Sequence, residues 1–211
     1  MTIKTFVVNP FQENTYVLTN SKNEAIVIDC GILFDYEKQA FDSFIVENNI
    51  HILQVLNTHL HLDHQFGNRF LFEKYGVLPE GNKEDEFLLD NVKAQGAMFG
   101  IPVNDEPIKL SSYIDDNQSF EFGEFQFKAL HVPGHSPGSL AYYFEQQKCV
   151  FVGDVLFSGS IGRTDLPKGD YATLIQSIQH KLLSLPNETV VYSGHGPTTT
   201  IGHEKKTNPY L

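Results

Sequence analysis

The chain has 211 residues, 41% of them hydrophobic and 12% aromatic, enough for one domain (1–211) with a sizeable core, which excludes disorder as its dominant state. A formal charge of −11, with Arg69 and Arg163 the only arginines, excludes the basic stripe that tracks nucleic-acid phosphates. There is no run of eighteen apolar residues to span a membrane, and Phe6-Val7-Val8 is too short for a signal-peptide core, so a soluble, cytoplasmic protein is expected.

In chain order, apolar β-formers predict strands over Ile3 to Val8, Thr15 to Thr19 and Glu24 to Ile28, a meander broken by Asn, Pro and Ser-Lys-Asn turns. Asp35 is positioned to cap a helix running to about Asn48, with Phe41, Phe44 and Ile45 on its apolar stripe. A strand from Ile50 to Leu56 follows, then helices over Phe66 to Tyr75 and Glu84 to Phe99. The acidic Glu84-Asp85-Glu86 suits the first turn of the latter helix, where the dipole favours negative charge. Periodicity fades from Gly100 to Asn117, which reads as a long connection or edge segment and a candidate for mobility. Strands return over Glu124 to Val132, Ser139 to Glu145 and Cys149 to Val152. An amphipathic helix from Asp170 to Leu183 and a strand from Thr189 to Tyr192 complete the pattern. Cys30 and Cys149 each lie in or beside an apolar run and read as buried free thiols.

The chemistry concentrates where strands stop. After Leu56 comes Asn57-Thr58-His59-Leu60-His61-Leu62-Asp63-His64, three imidazoles and a carboxylate of the kind first-row metals take as ligands. Residues two apart face the same way in extended chain, so His59 and His61 can grip one ion while Asp63 and His64 turn toward a second. Three more strand ends carry one ligand-type side chain each beside Gly or Pro: Pro133-Gly134-His135-Ser136, Gly153-Asp154 and Gly194-His195-Gly196. Together they supply seven ligands, enough for two ions that share a carboxylate. His131, four residues before His135, is placed to orient a ligand; His51, His180 and His203 read as structural or surface residues.

These motifs resemble the metallo-β-lactamase superfamily and, within it, the small bacterial glyoxalase II-like hydrolases of the hydroxyacylglutathione hydrolase group. The resemblance runs from Asn9-Pro10 through Gly162-Arg163-Thr164-Asp165 to Asn208-Pro209-Tyr210. It implies an α+β fold, a four-layer αββα sandwich of two mixed sheets flanked by helices. It also implies His59, His61 and His135 on one metal, Asp63, His64 and His195 on the other, and Asp154 between them. The cofactor it implies is two divalent metal ions, zinc first, with iron or manganese as alternatives. In β-lactamases proper a cysteine takes part at the second ion, whereas this sequence has Asp154 in a Gly-Asp turn, as the glyoxalase II group does, which argues against antibiotic hydrolysis. The family's full-length glyoxalases continue into a helical domain that contacts glutathione, whereas this chain stops soon after Lys205-Lys206.

The expected reaction is hydrolysis of a small-molecule thioester such as an S-acylglutathione. Water between two cations ionises near neutral pH and supplies a bridging hydroxide as nucleophile, and a thiolate leaves without a dedicated acid. Asp63 is the expected catalytic carboxylate. Arg163 is a candidate substrate anchor, with pairing to Asp165 as the competing role. Competing functions are an iron-dependent persulfide dioxygenase, a hydrolase of another ester or lactone, and a metal-loaded binding protein without turnover. No nucleic-acid or membrane partner is expected, and the sequence does not specify an oligomeric state.

Overall fold

Alternating and continuous apolar runs become two mixed sheets in this computed structural model, which describes every residue except Pro102, Asn104 and Asp105. The chain divides into two compact units, Met1–Tyr113 and Ile114–Leu211.

The first unit contains β1 (Thr2–Val8), β2 (Glu13–Thr19), β3 (Glu24–Ile28), α1 (Asp35–Glu47), β4 (His51–Leu56), α2 (Leu62–Gln65), α3 (Asn68–Tyr75), β5 (Pro79–Gly81), α4 (Glu86–Asp90), α5 (Val92–Met98) and β6 (Ser112–Tyr113). Its sheet has the order β1-β2-β3-β4-β5-β6, antiparallel through β3 and parallel from there on. The core gathers Val17, Val27 and Val55 from the sheet against Phe41 and Ile45 of α1 and Leu71 of α3. Side chains of this size contribute about 1.5–3 kcal/mol each when fully buried. That makes the apolar stripe of α1, and not its caps, the main anchor of this helix.

The second unit contains β7 (Ser119–Phe122), β8 (Phe125–His131), β9 (Leu140–Phe144), β10 (Cys149–Gly153), β11 (Leu156–Phe157), β12 (Ser160–Ile161), α6 (Tyr171–Ser177), β13 (Val190–Ser193), β14 (Thr199–Thr200) and α7 (Ile201–Thr207). Its sheet runs β14-β13-β10-β9-β8-β7, with β10 and β13 the parallel pair, and β11 and β12 form a separate hairpin. A π-helical turn, Ile178–Leu182, continues α6, and Leu174, Ile178 and Leu182 are all fully buried against Val150, Val152 and Val191. Both sheets are mixed and flanked by helices, the α+β class expected from the sequence.

Local departures have local causes. Asp35 does not cap α1; the cap position is Phe34, and the buried Glu37 accepts hydrogen bonds from the Leu33 and Phe34 amides at 2.8 and 2.9 Å. The helix expected over Glu84 to Phe99 breaks at Asn91, whose side-chain amide donates to the Phe87 carbonyl at 2.7 Å and competes with the backbone ladder. The stretch from Gly100 to Asn117, expected as a connection or edge segment, does supply an edge strand, Ser112–Tyr113 (β6) beside β5; Pro102, Asn104 and Asp105 lie outside the described residues. Cys30 and Cys149 are buried and free, and burial pushes both thiols up, that of Cys149 to about 12, so neither is a ready nucleophile. Among the described residues no helix is long and apolar enough to cross a membrane.

Candidate metal centre

In the first unit, β4 ends at Leu56 and the chain turns into α2 through His59 and His61, with Asp63 and His64 on the helix itself. The three imidazoles pack on one another, His59 lying 4.8 Å from His61 and 4.1 Å from His64 between ring centroids. All three histidines are buried. His64 Nε2 stands 3.6 Å from Asp63 Oδ2.

This loop is held by hydrogen bonds to side chains packed against it. Asp29, which directly follows β3 and has a left-handed backbone (φ 52°), accepts from the Thr58 amide and from the Thr58 hydroxyl, both at 2.7 Å. It also accepts from His64 Nδ1 at 2.9 Å. Because Thr58 spends its proton on Asp29, its oxygen accepts from His59 Nδ1 at 3.1 Å. Both rings are thereby fixed as the tautomer that offers Nε2 to a cation. Asn57 donates to the His64 carbonyl at 2.9 Å, Asn9 to the Asp63 carbonyl at 3.0 Å, and Gln65 to the Leu60 carbonyl at 2.9 Å. Asp85, fully buried, accepts from the Leu60 amide at 3.2 Å. The acidic run that reads as a helix-start feature thus also clamps the histidine loop. Glu13 lies behind His64, 3.9 Å from its Nδ1, and burial pushes its carboxyl well above the usual carboxylate range, with His64 opposing and Asp29 adding to the shift.

In the second unit the other three residues come together at the ends of β8, β10 and β13. Asp154 Oδ2 is 3.4 Å from His195 Nε2 and 3.7 Å from His135 Nε2. His135 Nδ1 donates to the Arg163 carbonyl at 2.8 Å, so Nε2 is again the outward nitrogen. Gly194 N donates to the Gly153 carbonyl at 2.8 Å, which ties the turn before His195 to the turn before Asp154. Gly134, at φ 132°, lets the chain pass directly over α6; a Cβ there would collide with the Leu174 backbone. Gly134→Ala is therefore expected to lower unfolding free energy by about 2–4 kcal/mol, read from urea denaturation. An unchanged midpoint would mean that this crossing is looser than the structure has it.

The separations within each unit suit a cation. Two ligands each about 2.0–2.2 Å from one tetrahedral ion stand roughly 3.3–3.6 Å apart, which is long for a hydrogen bond and close to the spacings found here. The donors are imidazole nitrogens and carboxylate oxygens, a set that accepts zinc, iron or manganese.

The remaining candidates fall elsewhere. The Arg163 guanidinium forms a fork on the Asp165 carboxylate, at 2.6 and 2.7 Å, and it is the backbone of Arg163 that serves His135. His131 Nε2 pairs with the Pro137 carbonyl at 2.7 Å, bracing the turn that carries His135. His51, His180 and His203 are exposed. Phe157 is half-buried with its ring 6.4 Å from that of His195. Asp29 was legible in principle: like Asp154, it is an Asp directly after an apolar strand. Asn9, Asn57, Asp85 and Glu13 gave no such signal.

The sequence profile described as the metallo-beta-lactamase superfamily matches residues 8–195, which includes every residue of both clusters. The chain belongs to that superfamily. Among superfamily members, a hydroxyacylglutathione hydrolase, GloC, of Haemophilus influenzae is 38% identical, over 100% of this chain and 98% of its own. Two solved structures of the same fold each have a TM-score of 0.87 and 35% identity. One is the BLEG-1 B3 metallo-beta-lactamase, aligned over 100% of this chain and 99% of that one; the other is TTHA1623 in a di-iron-bound form, aligned over 99% and 100%. Membership makes the chain a metallo-hydrolase by family, with His and Asp clusters suited to a dinuclear site.

Proposed function

We propose that this protein hydrolyses thioesters of the S-acylglutathione kind at a dinuclear metal centre. In this reading His59, His61 and His135 hold one ion, Asp63, His64 and His195 hold the other, and Asp154 is shared. The observation that carries it is Asp154 Oδ2, placed 3.4 and 3.7 Å from two imidazole nitrogens whose rings belong to different strand ends. The match to GloC along the full chain favours the thioester over other acyl substrates. Two bound divalent ions would supply Lewis acidity and a lowered pKa for water. The other tasks fall to the chain. Asp63 orients the attacking water and accepts its proton on the carboxylate. The hydrogen bonds from His59, His64 and His135 to Thr58, Asp29 and the Arg163 carbonyl keep each Nε2 deprotonated and aimed. A thiolate is stable enough to depart without an acid.

The test is a substrate panel with zinc-, iron- and manganese-loaded protein: S-lactoylglutathione and other acyl thioesters, lactones, phosphodiesters, a chromogenic β-lactam, and glutathione persulfide with oxygen uptake. Thioesters are expected to give the highest kcat/KM. A preference for the β-lactam, or oxygen uptake with persulfide, would replace the proposal with that activity. Asp63→Asn is expected to lower thioester turnover by about 10²-fold or more while circular dichroism stays unchanged. Near-full turnover in that variant would remove Asp63 from its role. The cytoplasmic setting and the small thioester as sole partner belong to the same proposal.

A further inference from the structure

The C-terminal helix carries a carboxylate that the reaction does not call for. Glu204, on α7, is fully buried, yet it is not an isolated charge: it accepts from the Thr199 hydroxyl, from the Gly159 amide at 3.0 Å and from the Asn208 side chain at 2.8 Å. Asn208 lies just past the helix and is itself buried. It makes a second donation, to the Ser160 carbonyl at 3.0 Å. The two residues therefore grip both sides of one turn, the tip of the β11–β12 hairpin.

That hairpin links the ligands of the second unit. Asp154 lies two residues before β11, and Arg163, whose carbonyl receives His135 Nδ1, lies two residues after β12. At its base Gly162 N donates to Val155 O at 3.2 Å, and Gly162 lies so close to the Asp154 carbonyl that a Cβ would collide with it. Along its side Ser193, two residues before His195, donates to the Leu156 carbonyl at 2.7 Å. A rigid hairpin pinned at its tip thus sets the position of Asp154, the orientation of His135 and the approach to His195. Neither end can shift alone, since Gly162 and the Asp154 backbone are in contact.

We propose that Glu204 and Asn208 are positioning residues for the ligand triad His135, Asp154 and His195, acting through the β11–β12 hairpin. The proposal rests on reading that triad as metal ligands, and two independent measurements keep the two readings apart. In the metal-free 211-residue chain, the His135 Nδ1 proton, hydrogen-bonded to the Arg163 carbonyl, is observable by imidazole NMR. Cobalt titration followed by visible absorption then reads the ligand geometry.

Asn208→Ala is expected to shift or broaden the His135 proton signal and to weaken cobalt binding by about tenfold or more with an altered spectrum. Glu204→Gln keeps the shape: its amide oxygen accepts from Gly159 and Asn208 while its NH₂ donates to Thr199. It is expected to stay close to wild type in both readouts. A purely structural role would lower the unfolding midpoint of Asn208→Ala and leave both readouts unmoved, and that result overturns the proposal. If wild type itself binds no cobalt, the metal reading falls, and the NMR arm alone decides whether the hairpin is held as proposed. Should Asn208→Ala fail to fold, Asn208→Ser, which can still donate one hydrogen bond, takes its place under the same criteria.

Discussion

Asp154→Asn is expected to retain fewer than two ions per chain and to lose about 10³-fold in kcat/KM, equivalent to about 4 kcal/mol of transition-state stabilisation. The reason is geometric. One carboxylate oxygen lies within 3.4–3.7 Å of the Nε2 atoms of His135 and His195, so it can serve the same cation as either ring. An asparagine of the same shape presents a neutral oxygen or, when flipped, an NH₂ group that repels a cation. The loss of charge matters most because the Asp154 side chain, only 14% exposed, sits between two imidazoles and is partly shielded from water. Metal analysis beside steady-state kinetics checks this. A variant with two ions and full turnover would show that the bridge lies elsewhere and would force a new ligand assignment.

The second large effect is expected at a residue outside the proposed ligand set. Asp29→Ala removes the acceptor of the Thr58 amide, the Thr58 hydroxyl and His64 Nδ1, all buried. Each buried donor left without a partner costs about 1–3 kcal/mol, so the apo protein should lose roughly 3 kcal/mol or more. Free of its anchor, the His64 ring can turn and change tautomer, and metal affinity should fall by about 10–100-fold. Urea unfolding of the metal-free protein isolates the first effect and metal titration the second. Unchanged apo stability would contradict the hydrogen-bond network, whereas unchanged affinity would show that packing alone aligns the ring.

The contrast between these two aspartates shows what the sequence could and could not convey. Asp154 stood out because Gly153 and the histidine motifs surrounded it with recognisable chemistry. Asp29 had the same strand-end position but no such company, and its role depends on Thr58 and His64, about thirty residues away, folding back against it. Long apolar runs such as Glu24 to Ile28 and His51 to Leu56 were legible as strands because burial on both sheet faces demands them. Pro79–Gly81, three residues between β4 and β6, and Ser112–Tyr113, two residues at the edge of the sheet, carried no period to detect, because each is defined by pairing to a neighbour. Likewise α7 hid its inward carboxylate: Gly-His-Glu-Lys-Lys looks solvated until Thr199, Gly159 and Asn208 converge on Glu204. Arg163 carried the opposite lesson, as its conspicuous side chain faces Asp165 and its unremarked carbonyl serves the site.

The backbone ladders do not stop where the strands do. Asp29 N bonds to Leu56 O at 2.9 Å, Cys30 N to His64 O at 3.0 Å, and Gly194 N to Gly153 O at 2.8 Å, which carries sheet-like bonding one rung into the loops that bear the imidazoles. Those amides should exchange with deuterium only through opening of the surrounding sheet, in the empty protein as in the loaded one. Protection of these amides in the metal-free protein would show that the proposed ligands need little ordering to take up a metal. With imidazole and carboxylate donors that accept zinc, iron or manganese alike, supply at synthesis would then select the metal more than any reshaping of the fold.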